Sequence, residues 1–199
     1  MKKRAFTMLE LVFVIVVIGI LAASIIPNTR RNTLREAATQ LVSHIRYTQH
    51  LAMVDDKFDA NDPKWFRKRW QIIFGKSLNT SNPDTNDKWA YTIFADNAGA
   101  SSGSNPGLSE MAIDPLNRDK YLSGGYSGSL DSDDKRANKK MNLGISYGIT
   151  GISMSGGCSA SNVRISFDHL GRPIDGNLTT YTKSYKSSKL LQTRCNIIL

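Results

Sequence analysis

From Leu11 to Ile26 the chain carries no charged residue, and Ser24 is the only polar side chain in that run. Counting from Phe6 to Ile26 gives 21 residues, and about 20 apolar residues rising 1.5 Å each cross a bilayer core. Lys2, Lys3 and Arg4 stand just before the run. Three readings compete: a secretory signal peptide with Ala22, Ala23 and Ser24 as its small-residue site, a membrane anchor, and a buried core helix. The core helix is the weakest, because such helices rarely run so long without a polar face. Glu10 lies inside the apolar segment. An unpaired carboxylate there costs roughly 2.5 to 3.5 kcal/mol on insertion scales, so it either has a partner or marks the interfacial start of the stretch.

Beyond Pro27, which has no amide donor and is expected to kink the helix, apolar positions recur at three and four residues. Leu34, Ala37, Leu41, Ile45, Thr48 and Ala52 form one face, with Arg, Glu, Gln and His between them. This predicts an amphipathic helix to about Val54. Residues 55 to 63 break the period with Asp, Asn and Pro. Trp70 to Phe74, Trp89 to Ala95, Leu143 to Thr150, Val163 to Phe167, Leu178 to Tyr185 and Leu190 to Ile198 then read as strands rich in aromatic and β-branched residues, and Asn79 to Asp87 as a turn. Residues 96 to 139, with their Gly-Ser repeats and the polar run from Asp131 to Lys140, read as a long loop. One long helix followed by antiparallel strands predicts an α+β fold.

With 199 residues, 40% hydrophobic residues and two cysteines, the chain falls outside the disordered, collagen-like and disulfide-dense classes. No nucleophile motif, phosphate-binding glycine loop or His-Glu-x-x-His is present. His44, His50 and His169 stand beside no recognisable catalytic partner, so neither catalytic residues nor a cofactor are expected. Asp131, Asp133 and Asp134 lack the spacing and the terminal Glu of a Ca²⁺ loop and read as a solvated turn. Cys158 and Cys195, without a nearby His pair, fall short of a metal site.

Lys3, Arg4, Ala5, Phe6, Thr7, Met8, Leu9 and Glu10 followed by the apolar helix closely resemble the class III leader of type IV pilins and type II secretion pseudopilins. Ala5 stands where that family usually has Gly. The resemblance implies that prepilin peptidase cuts between Ala5 and Phe6 and methylates the new amine of Phe6. It makes Glu10 the assembly residue, pairing with the terminal ammonium of a neighbouring subunit, and places Pro27 where these helices often have a proline. It also implies a lollipop arrangement: a leader at 1–5, a membrane-spanning and filament-core helix at 6–27, an amphipathic continuation at 28–54, and a β-rich head at 55–199. Later in the chain Ile165, Ser166, Phe167, Asp168, His169, Leu170, Gly171, Arg172 and Pro173 resemble a strand and Gly-Arg turn of H-type minor pseudopilins and related minor pilins. The implied setting is a single-pass inner-membrane protein with a cytoplasmic N-terminus and a periplasmic head. Its partners would be the peptidase, other pilins or pseudopilins, and an inner-membrane assembly platform. Charge counting does not fix the orientation, because Arg30, Arg31 and Arg35 flank the far side as Lys2, Lys3 and Arg4 flank the near side.

For an exported head, a bridge between Cys158 and Cys195 is natural, the alternative being two reduced buried thiols. Lys64, Trp65, Phe66, Arg67, Lys68, Arg69 and Trp70 interleave cations and aromatics, as do proteins that track phosphates and stack on bases. The same pattern fits an edge strand or its approach, with Phe66, Trp70, Ile72 and Phe74 packed inward and the charges outside. The whole chain has 26 cationic against 17 acidic side chains. Without Lys2, Lys3 and Arg4 the balance is +6, which favours polyanions without naming one. Two functions follow: a minor pseudopilin or minor pilin subunit, and a DNA-binding minor pilin of a competence pilus with contacts at Lys64, Trp65, Arg67, Lys68, Arg69 and Trp70.

Overall fold

The computed structural model describes residues 7–79, 81–97, 105–126, 129–158, 163–186 and 189–199, with the side chains of 24–32 left out. Helix α1 spans Met8–Val54. Thr7 caps it: its hydroxyl accepts from the Glu10 amide, and the Glu10 carboxylate accepts from the Thr7 amide. This capping box satisfies amides that the first turn leaves without partners. The helix ends at Asp55, whose N–H donates to the Leu51 carbonyl. Helical assignment continues through position 27; the Pro27 side chain lies outside the described ones. Ala37, Leu41, Thr48 and Ala52 are buried on one face, as their spacing predicts, while Leu34 is exposed.

Strands β1 (Trp70–Lys76), β2 (Trp89–Ala95), β4 (Arg164–Phe167) and β5 (Pro173–Asp175) form an antiparallel sheet in the order β2-β1-β4-β5. Alternation along the strands turns Ile72, Phe74, Tyr91, Ile93, Ile165 and Phe167 onto Ala37, Leu41 and Ala52 of α1. The helix and the antiparallel sheet of four strands make an α+β, pilin-like arrangement. A separate ribbon pairs β3 (Ser153–Gly156) with β6 (Cys195–Ile198), and a Cys158–Cys195 disulfide closes it.

Several expected strands are replaced. Residues 143–147 form a short helix, α2 (Leu143–Tyr147). Asn142 accepts from the Ile145 amide at its start, and Gly148, at φ 70°, closes its end in the left-handed region. From Leu178 only one 3-10 turn forms, capped by Asn177, and the rest of 178–185 is irregular. Of 190–198 only β6 is a strand; Leu190 makes an isolated bridge to Ile174. The long loop expected at 96–139 is built where it is described. Ala112 N–H donates to the Ile93 carbonyl and Ile93 N–H to the Leu122 carbonyl, so these segments continue the sheet beyond β2. Met111, Leu122 and Leu130 are buried there.

A polar chain crosses the helix–sheet interface. Tyr147 donates its hydroxyl to Gln40 Oε1 at 2.7 Å, Gln40 Nε2 donates to Tyr91 Oη at 2.9 Å and to the Lys140 carbonyl at 2.8 Å, and Tyr91 Oη lies 2.7 Å from His44 Nδ1. With His44 neutral, Nδ1 accepts the Tyr91 proton and the chain is satisfied throughout. Protonated at Nδ1, His44 would have to donate to the Tyr91 oxygen and would leave the Tyr91 hydroxyl proton without that acceptor in a half-buried place. Burial accordingly holds the His44 pKa below its ordinary value, against a smaller upward pull from Asp114. The unfolded chain therefore takes up this proton first as pH falls through about 6.5, and His44 stabilises the head above that pH. That contribution declines below it, by at most about 1.4 kcal/mol per pH unit, and is lost once the folded pKa is passed. Urea unfolding from pH 7.5 to 5 is expected to lose more stability in the native chain than in His44→Gln; parallel pH curves would refute the assignment.

Candidate functional site

The N-terminal end of α1 presents a carboxylate beside a capped helix start. Glu10 Oε2 lies 3.3 Å from both the Thr7 amide nitrogen and Thr7 Oγ1, so the side chain folds back toward the chain start. Phe6 is the next residue upstream. Met1–Phe6, with the expected cut between Ala5 and Phe6, lie outside the described residues. Along the same helix Leu9, Phe13, Val16, Ile20 and Leu21 are all exposed. So long an apolar surface on one helix is complementary to lipid or to other helices of its kind. Among the described residues no helix is long and apolar enough to cross a membrane; the apolar stretch with described side chains ends at Ala23, inside the expected 6–27 span.

The second motif is a hairpin. β4 ends at Phe167, and Gly171, at φ 75°, turns the chain so that its N–H reaches the Asp168 carbonyl at 2.8 Å. The buried Asp168 carboxylate accepts from the Leu170 and Arg172 amides and from the Arg172 guanidinium at 2.8 Å. Gln49 of α1 donates to the Gly171 carbonyl at 2.7 Å. A Cβ at residue 171 would lie 2.9 Å from Met53 Sδ, so this glycine lets the hairpin seat on the end of α1.

The basic segment is the approach to β1, with Phe66, Ile72 and Phe74 packed inward as one reading expected, but its charges are not all turned outward, since Arg69 is buried. Trp65–Lys68 is a 3-10 turn. Arg67 donates through Nε and Nη2 to the Tyr181 carbonyl, at 3.1 and 2.8 Å. Lys68 pairs with Asp62 at 2.8 Å, which lowers the Asp62 pKa chiefly through that hydrogen bond. Arg69 is 3% exposed and lies between the Trp65 and Tyr185 rings, 4.9 and 4.7 Å from their centroids. Trp70 donates to Asp55 at 2.9 Å under the Lys57 ammonium. Lys64 is exposed. The segment is thus a structural corner: of its four cations, Arg67, Lys68 and Arg69 are engaged within the head and Lys64 is exposed.

Elsewhere, Asp133 Oδ2 accepts from Asn79, Asn82 and Thr85, and a hydrogen-bonded Arg136 holds the Asp134 pKa at about 2. No group of three metal-ligating side chains occurs among the described residues. His50 is exposed, and His169 Nδ1 lies 3.3 Å from the Tyr185 hydroxyl. Gln40, Tyr91 and Tyr147, which fasten the helix to the head, carry no local sequence signal, because their contacts span 51 and 107 residues.

The family described as the prokaryotic N-terminal methylation motif matches residues 1–26. The chain therefore carries the class III prepilin leader of type IV pilin-like proteins. Together with the helix-and-sheet arrangement, this supports a type IV pilin-like filament subunit that is processed by prepilin peptidase and assembles with other pilins. No curated protein and no solved structure matches the chain.

Proposed function

We propose that the chain is a minor pseudopilin of a type II secretion system or a minor pilin of a related machine. It is stored in the inner membrane by residues 6–27 with its head in the periplasm, cut between Ala5 and Phe6, N-methylated at Phe6 and then assembled. The observation that carries this is the leader match over residues 1–26, with Glu10 folded toward the chain start. Removing Met1 to Ala5 takes away three cationic side chains and leaves one ammonium near one carboxylate. Two opposite charges buried together are tolerated where either alone is not. The hairpin that resembles the H-type minor subunits supports the minor role. A DNA-uptake role has less support, since Arg67, Lys68 and Arg69 are engaged within the head.

The test combines processing with assembly in the native cell. Intact-protein mass spectrometry is expected to find a chain that begins at Phe6 and carries one added methyl group. Glu10→Val should leave cleavage and insertion unchanged while lowering crosslinked incorporation into filaments by at least about tenfold, because breaking a buried charge pair costs roughly 3–5 kcal/mol. Retention of Met1 in the mature chain, or unchanged incorporation of the variant, would count against the reading.

A further inference from the structure

A cleft of about 550 Å³ opens between α1, the start of β1 and the segment that continues the sheet beyond β2. Tyr47 and Leu51 of α1, Trp70 of β1, and Met111, Ile113 and Arg118 line it. Its size falls within the roughly 300–1,000 Å³ usual for ligand pockets. Met111 is buried, and Tyr47, Leu51 and Trp70 are half-buried. The one acid of the lining, Asp114, is already satisfied: its carboxylate accepts from Leu116 N–H and from Asn138 Nδ2, both at 2.9 Å. What the cleft offers a partner is therefore mainly apolar and aromatic surface.

Residues 113–121 form a hairpin tip at the rim of this cleft. Ile113 bridges Tyr121, Asp114 N–H donates to the Lys120 carbonyl at 2.8 Å, and Lys120 N–H donates to the Asn117 carbonyl at 3.0 Å. Asp119 N–H reaches Asn117 Oδ1 at 3.1 Å, and the Asp114 carboxylate ties the turn to Asn138. On this pinned turn Leu116 is 95% exposed and Ile113 51% exposed. Pro115 and Arg118, on either side of Leu116, help to line the cleft, so the leucine stands at its edge. A lone exposed leucine is ordinary. One held on a fixed turn beside an apolar cleft is a preorganised anchor, because the backbone ordering that docking requires is already in place.

The charges of the tip show the same doubling. Arg118 and Asp119 are adjacent, exposed and without a charged partner among the described residues. Lys120 is turned inward and donates to the carbonyls of Lys135 and Ala137. Knob, hole, cation and anion thus share one patch. A two-fold axis through such a patch brings every feature to its complement, because residue i of one copy meets j of the other and j meets i. A different protein would have to supply all four complements, whereas a second copy already carries them.

We propose that the 113–121 tip and the cleft beside it form a two-fold interface between two copies of this chain, with Leu116 of each seated in the other's cleft and Arg118 of each facing Asp119 of the other. A two-fold contact closes on itself and cannot propagate. The pair is therefore not a step of filament growth, and its test reads neither processing nor assembly.

The full chain, with its apolar helix held in a density-matched detergent, is followed by sedimentation equilibrium over a range of concentrations. A monomer–dimer equilibrium is expected. Leu116→Lys removes both knobs and should raise the dissociation constant at least about a hundredfold, while its urea midpoint at low concentration stays native because the side chain it replaces is 95% exposed. The charge pair tests the symmetry. Arg118→Asp alone and Asp119→Arg alone each set like charges opposite one another twice, and each should pair at least about fivefold more weakly than the native chain. Mixed in equal amounts, the two variants regain two opposite-charge contacts in every mixed pair, so the mixture should associate at least about fivefold more tightly than either alone. A native chain that stays monomeric, which would leave the cleft to a different protein, overturns the proposal. So does a Leu116→Lys dimer as tight as the native one, which would place the contact in the apolar helix, or a mixture no tighter than its components.

Discussion

Replacing Cys158 and Cys195 together by serine is expected to cost the head about 3–4 kcal/mol. The bridge closes a loop between residues 37 apart in sequence, and the chain-entropy account gives roughly that value for such a loop. Packing adds to the argument, because the cystine joins the ends of β3 and β6, a two-stranded ribbon outside the main sheet. Ribbons of two strands are marginal on their own. This one rests on the main core chiefly through Met154, which is 2% exposed, and the half-buried Ile197. Urea unfolding of the oxidised native chain and the double serine variant gives the difference directly. Hydrogen exchange should show the amides of 153–156 and 195–198 opening before those of β1. Equal midpoints for the two proteins would mean that the ribbon holds without its bridge.

Gly124→Ala is expected to destabilise the head by about 3 kcal/mol, at the upper end of overpacking effects. A Cβ at this position would lie 2.4 Å from both the carbonyl carbon and oxygen of Met141 and 2.5 Å from the Asn142 nitrogen. All three are backbone atoms, which cannot swing aside as a side chain can. The two segments are also tied together: Asn142 Nδ2 donates to the Gly124 carbonyl at 3.1 Å, and Gly124 N–H donates to the Tyr91 carbonyl at 3.0 Å. Separating them would disturb the Asn142 cap of α2 and the flank of β2 together. Gly151 is the control, since a Cβ there meets nothing within 4 Å; Gly151→Ala should stay within about 0.5 kcal/mol of the native chain. Similar losses at both positions would show that steric crowding is not the cause.

The long helix and the first two strands were legible because their periods are strong. Ala37, Leu41, Thr48 and Ala52 keep helical spacing, and Trp89 to Ala95 is bounded as expected. Residues 143–150 show why short apolar runs mislead: Leu143, Ile145 and Tyr147 alternate as a strand would, and the deciding residues are Asn142 and Gly148 at the ends. β5 has only three residues, too few to set a period, and it forms because the Gly171 turn returns the chain to β4. The basic aromatic segment misled in another way. Local pattern cannot tell that the Arg69 guanidinium will be covered, because its cover comes from Tyr185, 116 residues later in the chain. The leader over residues 1–26 was legible for the opposite reason: a carboxylate such as Glu10 in an apolar run is anomalous in any fold.

The hydrogen bonds from Gln40, His44 and Gln49 to the head act as a rotational key. Apolar faces tolerate slippage, since one methyl-lined groove accepts much the same side chains one turn further along. Five directional bonds at 2.7–2.9 Å do not: advancing the helix by one residue swings each of these helix side chains about 100° away from its partner. The bearing of Leu34 and Val42, exposed on the outer side of α1, is therefore fixed relative to the sheet. In a helical polymer each subunit takes its orientation from the one before, so an error in that bearing would accumulate as twist along the filament. Were such subunits to stack in a filament, a polar key of this kind would hold the outer face of every subunit at the same bearing.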